Sequence, residues 1–392
     1  MSADAITEIT DWLTDGARSS PTPAGMMAEC CERLTAAGLP LWRVGVFLRT
    51  LHPEIFGRNF IWRHGQEVTI GSVDFDIQES PEFKRSPLAI VFQEAAEVRC
   101  RLDDPGNNNF PFFNDMRAEG VTDYMAMPLL FVGGRVHASS WTTRQPGGFS
   151  DRQLTDLKRV VPPLTRLIEV IGLRRVASTL LDTYVGSRAG ERILGGQIRR
   201  GHTETMHAAI WLSDLRGFTA LSDRLPPEQI VEILNLYFDC QVAPILAHGG
   251  EVLKFMGDGL LAVFPVDGNE QEVCARVLAA ATEARANVAA LEYASADNVT
   301  ERFRFGVALH VGKILYGNIG GGNRLDFTCI GPAVNLAARL EKIAGRLGRT
   351  IVASSAFADI GGEGWENLGE FPIAGFVKAE YVYGRVEETQ AG

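Results

Sequence analysis

The sequence predicts an α+β chain, with mixed α/β content, made of two domains joined by a helical segment. Its 392 residues exceed the usual size of one domain, so each half is long enough to bury its own core. Strand-like and helical patterns occur in both halves, and a long helical pattern with a regular apolar face lies between them. We therefore expect a first domain at residues 1–152, a helical segment at 153–205 and a second domain at 206–392.

The composition is that of a globular protein, and it argues against several classes. The formal net charge of −10 disfavours a nucleic-acid partner, because phosphate backbones attract basic patches. The six cysteines show no paired short spacing typical of a zinc site or a disulfide framework, so we expect reduced thiols. The N-terminus does not resemble a secretory signal, and no apolar run approaches the roughly 20 residues of a membrane helix. We predict a cytoplasmic protein with no membrane span.

The first domain shows strand patterns that end in a late hairpin. Residues 123–132 and 136–142 are strand-like and are separated by a glycine turn. Ser150 and Gln153 then form a capping-box pattern, which marks the start of a helix. These features predict a central antiparallel sheet followed by a long exit helix.

The exit helix carries apolar residues at alternating three- and four-residue spacing. This spacing produces one apolar seam, of the kind that pairs parallel helices in a dimer. The alternative is that the same face packs against its own domain, and Pro162-Pro163 is expected to kink or restart the helix. The seam consists of Leu154, Leu157, Val161, Leu164, Ile168 and Ile171.

Two aspartates of the second domain lie in similar local sequences. Asp214 follows a strand-like stretch at residues 208–212 and precedes a glycine turn. Asp258 lies in a Gly-Asp-Gly turn between two strand-like runs that predict a hairpin. If these strands are neighbours, the two carboxylates stand together and repel each other unless cations lie between them. Divalent cations held by few carboxylates bind substrate phosphates as well, so the pattern indicates a nucleoside triphosphate site.

A further polar pair lies in a predicted helix downstream. Asn335 and Arg339 are four residues apart, so both project from one face. An amide can orient a ribose, and a guanidinium can neutralise charge that develops on a transferring phosphoryl group. Here the chain resembles the class III nucleotidyl cyclases, over about residues 208–386, with four separate motifs in the family's order.

The resemblance implies a ferredoxin-like catalytic domain and a role for each matching residue. Asp214, Asp258 and Leu215 match the residues that hold two divalent cations, Mg²⁺ or Mn²⁺. The turn that follows Asp214 matches the one that holds the β- and γ-phosphates of the substrate. The substrate-binding residues of this turn are Gly217, Phe218 and Thr219.

The remaining matches concern the base and the transition state. Lys254 matches the residue that recognises adenine in adenylate cyclases, where guanylate cyclases usually carry a glutamate. Asn335 and Arg339 match the ribose-orienting and transition-state residues. In the family these residues and the two aspartates come from opposite protomers, so the resemblance implies a homodimer with shared active sites. It implies an adenylate cyclase that converts ATP into 3′,5′-cyclic AMP and pyrophosphate.

The sequence departs from the family pattern at two positions. Pro332 occupies the place of an acidic residue that we expect to contact the base, so Thr328 or a carbonyl would have to assist Lys254. Ala374 occupies the place of a phosphate-binding lysine, for which Lys378 is a candidate substitute. We interpret Arg216 as a surface or capping residue.

The first domain resembles a GAF sensor domain in its late hairpin, in the run Phe149-Ser150-Asp151 and in its exit helix. This resemblance implies a small-molecule or signal ligand of unknown identity that regulates the catalytic domain. Two alternatives stay open for the function. One is a guanylate cyclase, which Lys254 disfavours, and the other is a non-catalytic cyclase-like module that binds a nucleotide or a partner.

Overall fold

The computed structural model describes residues 3–104, 110–295, 299–322 and 324–389. The chain divides into two compact units, one that ends at Leu180 and one that begins at Leu181. The first unit therefore includes about half of the segment that we expected to form a separate linker. Both units have mixed α/β content, as predicted.

An antiparallel sheet of six strands forms the centre of the first unit. Its elements are α1 (Ala3–Thr14), α2 (Pro23–Ala36), β1 (Arg43–Arg49), β2 (Gly57–Arg63), β3 (Thr69–Val73), a 3₁₀ turn (Phe75–Glu79), α3 (Pro81–Lys84), α4 (Pro87–Glu94), β4 (Val98–Arg101), α5 (Phe113–Ala118), β5 (Asp123–Leu130), β6 (Val136–Thr143) and α6 (Asp151–Val185). The strand order is β3-β2-β1-β6-β5-β4. The predicted hairpin is β5 and β6, and the capping box before α6 is present, with Ser150 N–H donating to Oε1 of Gln153 over 2.8 Å.

Helix α6 packs its apolar seam into the core of its own unit. The dimer seam that we expected on this face is therefore used within the unit, so that expectation was wrong and the alternative is correct. The buried seam residues are Leu154, Leu157, Val161, Leu164 and Ile168, with Ile171 packed partly against them.

The same helix runs without interruption through Pro162 and Pro163, so the predicted restart does not occur. Each proline lacks the N–H that would bond the carbonyl four residues earlier. Those carbonyls belong to Lys158 and Arg159, whose side chains are exposed, so water can bind them. Solvation of these carbonyls offsets only part of the roughly 3 kcal/mol that an interior proline costs a helix, and packing of the seam must supply the rest.

The second unit is built on one large sheet with helices on both faces. Its elements are α7 (Ser187–Leu194), β7 (Thr203–Leu215), α8 (Phe218–Arg224), α9 (Pro227–Ala247), β8 (Glu251–Met256), β9 (Gly259–Pro265), α10 (Glu270–Ala290), β10 (Glu292–Ala294), β11 (Thr300–Arg302), β12 (Phe305–Gly321), β13 (Arg324–Ile330), α11 (Pro332–Leu347), β14 (Ile351–Ser354), α12 (Ser355–Ala358), β15 (Trp365–Phe371), β16 (Glu380–Arg385) and α13 (Val386–Thr389). The strand order is β15-β16-β14-β12-β7-β9-β8, and β13 pairs with the end of β12.

Alternate residues of β7 face the two layers of helices. Trp211 is fully buried in the core that contains residues of α9 and α10. Its neighbour Ile210 is buried in a separate core with Ala333 and Ala337 of α11. Since successive side chains of a strand point to opposite faces, β7 is covered on both sides.

Helix α9 qualifies the expectation that the chain has no membrane span. Within the described part of the chain it is the one helix whose length and apolar composition would suit a span. Ile230, Ile233, Tyr237 and Ile245 of this helix lie in the core of the second unit. A core helix meets the same criterion, so the finding is weak.

All six cysteines are free thiols, as expected. Burial is the main cause that raises the pKa of each of them, to about 12 for Cys30 and Cys274 and to about 11 for Cys329.

Candidate active site

The pairing of β7 with β9 brings the two predicted aspartates together. Ser213 of β7 lies opposite Leu260 of β9, so Asp214 is next to the turn that contains Asp258. The Oδ1 atom of Asp214 lies 3.6 Å from the point that a β-carbon on Gly259 would occupy. The two strands and the tight turn thus place both carboxylates at one end of the sheet.

This juxtaposition changes the proton affinity of the pair. Burial, followed by a hydrogen bond to Asp258 and the charge of that residue, raises the pKa of Asp214 to about 7. Arg216 opposes the shift, but it does not cancel it. Two carboxylates in this arrangement favour a shared proton or a bound cation.

The turn after Asp214 has a backbone conformation that requires a glycine. Gly217 has φ +76°, a left-handed conformation that side-chain-bearing residues rarely adopt. A β-carbon there would meet no atom within 4 Å, so the constraint is conformational and not one of space. Phe218 begins α8 and packs partly against the core, whereas Thr219 is exposed.

Lys254 of β8 lies beside strand β13. Its Nζ donates to Oδ2 of Asp326 over 2.7 Å. Thr328 is two residues further along β13, on the same face as Asp326. Its Oγ1 is buried and has no hydrogen-bond partner among the described residues. This face of β13 therefore offers a lysine, a carboxylate and an unsatisfied hydroxyl.

Helix α11 presents Asn335 and Arg339 to solvent, on one face as predicted. Pro332 is the first residue of this helix, a position where its fixed φ is favourable and its missing N–H costs nothing. Neither the Asn335 amide nor the Arg339 guanidinium has a hydrogen-bond or ion-pair partner in the described ranges.

The opposite side of α11 is tied to the aspartate site. Nη1 of Arg216 donates to Oε1 of Glu341 over 2.7 Å, and Glu341 is only 6% exposed. The Arg216 guanidinium also occupies the space where a side chain on residue 306 would begin, which explains Gly306 in β12. The interpretation of Arg216 as a surface or capping residue was wrong.

Two residues along an α-helix correspond to a rotation of about 200°. Arg339 therefore points away from the side of α11 on which Glu341 faces Arg216. The structure brings Asp214, Asp258 and the glycine turn together, and it pairs Lys254 with Asp326, two residues before Thr328 on β13. It does not bring Asn335 and Arg339 to the aspartates of the same chain.

Sequence reasoning missed three residues of this region: Arg216, Glu341 and Asp326. Their partners are distant in sequence: the separation is 125 positions from Arg216 to Glu341 and 72 from Lys254 to Asp326. No local spacing signals such pairs. An acidic residue on the buried side of a helix, as at Glu341, is the one available hint that a cation faces it.

Residues 202–374 match the family model of the adenylate and guanylate cyclase catalytic domain. The match supports the resemblance to the class III cyclase catalytic domain that the motifs indicated.

Two adenylate cyclases are among the curated relatives of similar sequence. An adenylate cyclase of Anabaena cylindrica is 31% identical in an alignment of length 171 that covers 41% of this chain and 32% of that protein. Adenylate cyclase 1 of Rhizobium meliloti is 32% identical over 146 residues, which are 37% of this chain and 22% of that protein. The chain thus spans about a third or less of the length of these relatives.

The solved structures that are similar to this chain include one named as a guanylyl cyclase and one named as an adenylyl cyclase. The guanylyl cyclase Cya2 is 28% identical, covers 47% of this chain and 93% of that one, and has a TM-score of 0.41. The adenylyl cyclase CyaB of P. aeruginosa is 26% identical, covers 47% of this chain and 96% of that one, and has a TM-score of 0.42.

Proposed function

We propose that the chain is an adenylate cyclase that converts ATP into 3′,5′-cyclic AMP and pyrophosphate. The ribose 3′-oxygen attacks the α-phosphorus and its proton passes to water, while the bond from the α-phosphorus to the bridging oxygen of the β-phosphate breaks and pyrophosphate leaves with that oxygen. One observation carries the proposal: the carboxylates of Asp214 and Asp258 lie side by side in a cyclase catalytic domain. In phosphoryl transfer the protein acts mainly by positioning and charge stabilisation.

The donor set of the pair fits two divalent cations, Mg²⁺ or Mn²⁺. Asp214 and Asp258 offer carboxylates and Leu215 offers a backbone carbonyl, all hard oxygen ligands. Burial and the neighbouring Asp258 outweigh Arg216 and raise the pKa of Asp214, so a bound cation would relieve the repulsion within the pair. The described ranges contain no group of three or more His, Cys, Asp or Glu suited to a metal, so substrate phosphates and water would complete the shells. Such ions, when bound, stabilise charge on phosphoryl oxygens and lower the pKa of a hydroxyl group.

The phosphates would bind along the turn after Asp214. Gly217, Phe218 and Thr219 follow the aspartate directly, and the left-handed glycine leaves the backbone open on that side. Ala374 has no side-chain donor for a phosphate. Lys378 lies in the same exposed loop between β15 and β16, and we assign it as the substitute.

Adenine would be recognised by Lys254 together with Thr328. The Lys254 ammonium is a donor that suits N1 of adenine and not the N1–H of guanine. The unpaired, buried Oγ1 of Thr328 can accept from or donate to the adenine edge, a role that Pro332 cannot perform. Asp326 holds Lys254 on this face until the base binds.

Asn335 and Arg339 would act on the substrate held by a second copy of the chain. They face away from the carboxylates of their own chain, are exposed and have no partner in the described part of the chain. A two-fold homodimer that faces these residues toward the partner's carboxylates would complete two equivalent sites. Asn335 would orient the ribose, and Arg339 would stabilise charge in the transition state.

The first unit would regulate this activity as a GAF-like sensor domain in a cytoplasmic protein. Its six-stranded antiparallel sheet, late hairpin and long exit helix support the assignment.

The test is a product assay with the purified full chain. ATP or GTP is incubated with Mg²⁺ or Mn²⁺, and cyclic and linear nucleotides are separated by chromatography. We expect cyclic AMP as the main product. Faster turnover of GTP would establish a guanylate cyclase instead, and no cyclic product from either nucleotide would favour the non-catalytic module.

A further inference from the structure

The first unit contains a cavity of about 240 Å³ between α2, the sheet and α6. Its walls are mostly apolar and come from α2, β1, β2, β6 and α6. Alternate residues of β1 and β2 point into this side of the sheet, because Val46 pairs with Phe60 in the antiparallel register. The apolar wall includes Met27, Val46, Phe60, Trp141, Leu164 and Ile168.

The rim of the cavity is positively charged. Four arginines line it, namely Arg49, Arg58, Arg135 and Arg175, and no aspartate or glutamate does. The Arg49 guanidinium lies over the rings of Phe56 and Phe92, whereas those of Arg58, Arg135 and Arg175 have no hydrogen-bond or ion-pair partner in the described ranges. In a chain of net charge −10, three unpaired arginines around one apolar cavity form an unusual local excess of positive charge.

The buried histidine of the cavity does not add to this charge at neutral pH. Nδ1 of His137 accepts a hydrogen bond from the backbone N–H of Arg49 over 3.0 Å. Burial, with Arg135 and Arg49 nearby, lowers the pKa of His137 to about 4. His137 is therefore uncharged at neutral pH, and the positive charge around the cavity comes from the arginines.

From this geometry we propose that the cavity binds an amphipathic carboxylate, a medium-chain fatty acid, with its alkyl chain in the apolar interior and its carboxylate at the arginine rim. Planar guanidinium groups pair with carboxylates through two parallel hydrogen bonds. The volume lies just below the range of about 300–1,000 Å³ for drug-sized ligand pockets, which favours a ligand with one alkyl chain of medium length.

The test is calorimetric titration of the full chain with decanoate, decanol and decylamine in the absence of nucleotide. We expect decanoate to bind with one site per chain, decanol to bind at least about tenfold more weakly because it lacks the charge, and decylamine not to bind. Equal binding of decanol and decanoate would overturn the proposal, because it would indicate apolar partition alone. Since no nucleotide is present, the result is independent of the proposed cyclase activity.

Two sets of variants, one at arginines and one at Gly172, test the location of the site. Arg58→Gln and Arg135→Gln should each weaken decanoate binding by about tenfold, whereas Arg174→Gln, at a neighbouring exposed position outside the cavity, should not. Gly172 lines the cavity, and a β-carbon there meets no atom within 4 Å. Gly172→Leu should therefore fill the cavity and abolish binding, with Gly172→Ala as its control. Unchanged decanoate affinity in Arg58→Gln, Arg135→Gln and a thermally stable Gly172→Leu would overturn the assignment.

Discussion

Arg216 and Glu341 form a partly buried ion pair that joins the turn after Asp214 to the helix that carries Asn335 and Arg339. The pair connects two groups of residues that, in the proposed homodimer, serve different active sites. A shift of α11 would therefore also displace Arg216, two residues after the Asp214 carboxylate of the same chain. The pair thus ties α11 to the turn after Asp214 within one chain.

We predict that Arg216→Met destabilises the second unit by about 3 kcal/mol, because it leaves the buried carboxylate of Glu341 without its cation. The double variant Arg216→Met/Glu341→Leu should recover most of this loss, since neither charge is then unpaired. Urea unfolding of each variant measures the effect. Arg302→Met removes the exposed pair with Glu292 and should cost at most about 1 kcal/mol. Equal costs for Arg216→Met and Arg302→Met would show that the buried pair has no special role.

Asp214→Asn and Asp258→Asn should each abolish cyclisation without unfolding the protein. Each removes a proposed metal ligand at the end of the sheet, and each also relieves repulsion between two carboxylates. Thermal unfolding with and without Mn²⁺ separates these effects: the cation should stabilise the native sequence and not the variants. Asp223→Asn, on the exposed side of α8, is the control. Near-normal turnover in either variant at saturating metal would exclude the two-cation assignment.

Thr328→Val should change specificity and stability in opposite senses. Loss of the hydroxyl should lower the preference for ATP over GTP by about tenfold, because one base contact is lost. The free energy of unfolding should rise by about 1 kcal/mol, since a buried hydroxyl without a partner is removed. Turnover of both nucleotides and urea unfolding check the two parts, and Thr328→Ser should resemble the native protein. An unchanged ratio in Thr328→Val would leave base recognition to Lys254 alone.

Mixed dimers test whether sites are shared. Arg339→Ala alone should lose about 2.7–4 kcal/mol of transition-state stabilisation, by analogy with the loss of one oxyanion donor. Mixed with Asp214→Ala under subunit exchange, it should regain up to about a quarter of native activity, because half of the dimers are mixed and each holds one intact site. Exchange is followed with two differently tagged chains. If activity stays absent although exchange is complete, each chain builds its own site.

The stability of the second unit should fall between about pH 6.5 and pH 4 in part because of His310. Burial lowers the pKa of His310 from its ordinary 6.5 to about 4, and its Nδ1 lies 2.7 Å from Oγ of Ser354. The unfolded chain therefore binds a proton in this range and the folded chain does not, so stability present at pH 7 is lost on acidification. Because of this residue, the free energy of unfolding should be about 2 kcal/mol lower at pH 5 than at pH 7. Urea unfolding of His310→Gln should show a correspondingly weaker pH dependence, and the exposed His202→Gln should not.

Short-range patterns predicted the site better than they predicted packing. The β8–β9 hairpin, the position of Asp214 after β7 and the shared face of Asn335 and Arg339 all depend on local period and turn chemistry. Local period and turn chemistry are the same in any fold that contains this hairpin, strand and helix. The sequence was therefore sufficient to predict the carboxylate pair.

The errors concern contacts that sequence spacing does not encode. The seam of α6 has the same period whether it faces a partner helix or its own sheet, and only the structure decides. Pro162 and Pro163 are tolerated because the affected carbonyls face solvent, which depends on how the helix is docked. Arg216 finds Glu341 and lies over Gly306 because three distant segments converge.

The state of the cysteines has a practical consequence for spectroscopy. Because burial keeps five of the six thiols out of solvent and largely protonated near neutral pH, they should react slowly with maleimide or iodoacetamide reagents, whereas Cys240 is partly exposed. A cysteine introduced at an exposed position, such as Leu173 of α6, should then be labelled selectively once Cys240 is replaced by serine. The folded chain can therefore accept a single fluorophore or spin label after the removal of one native cysteine.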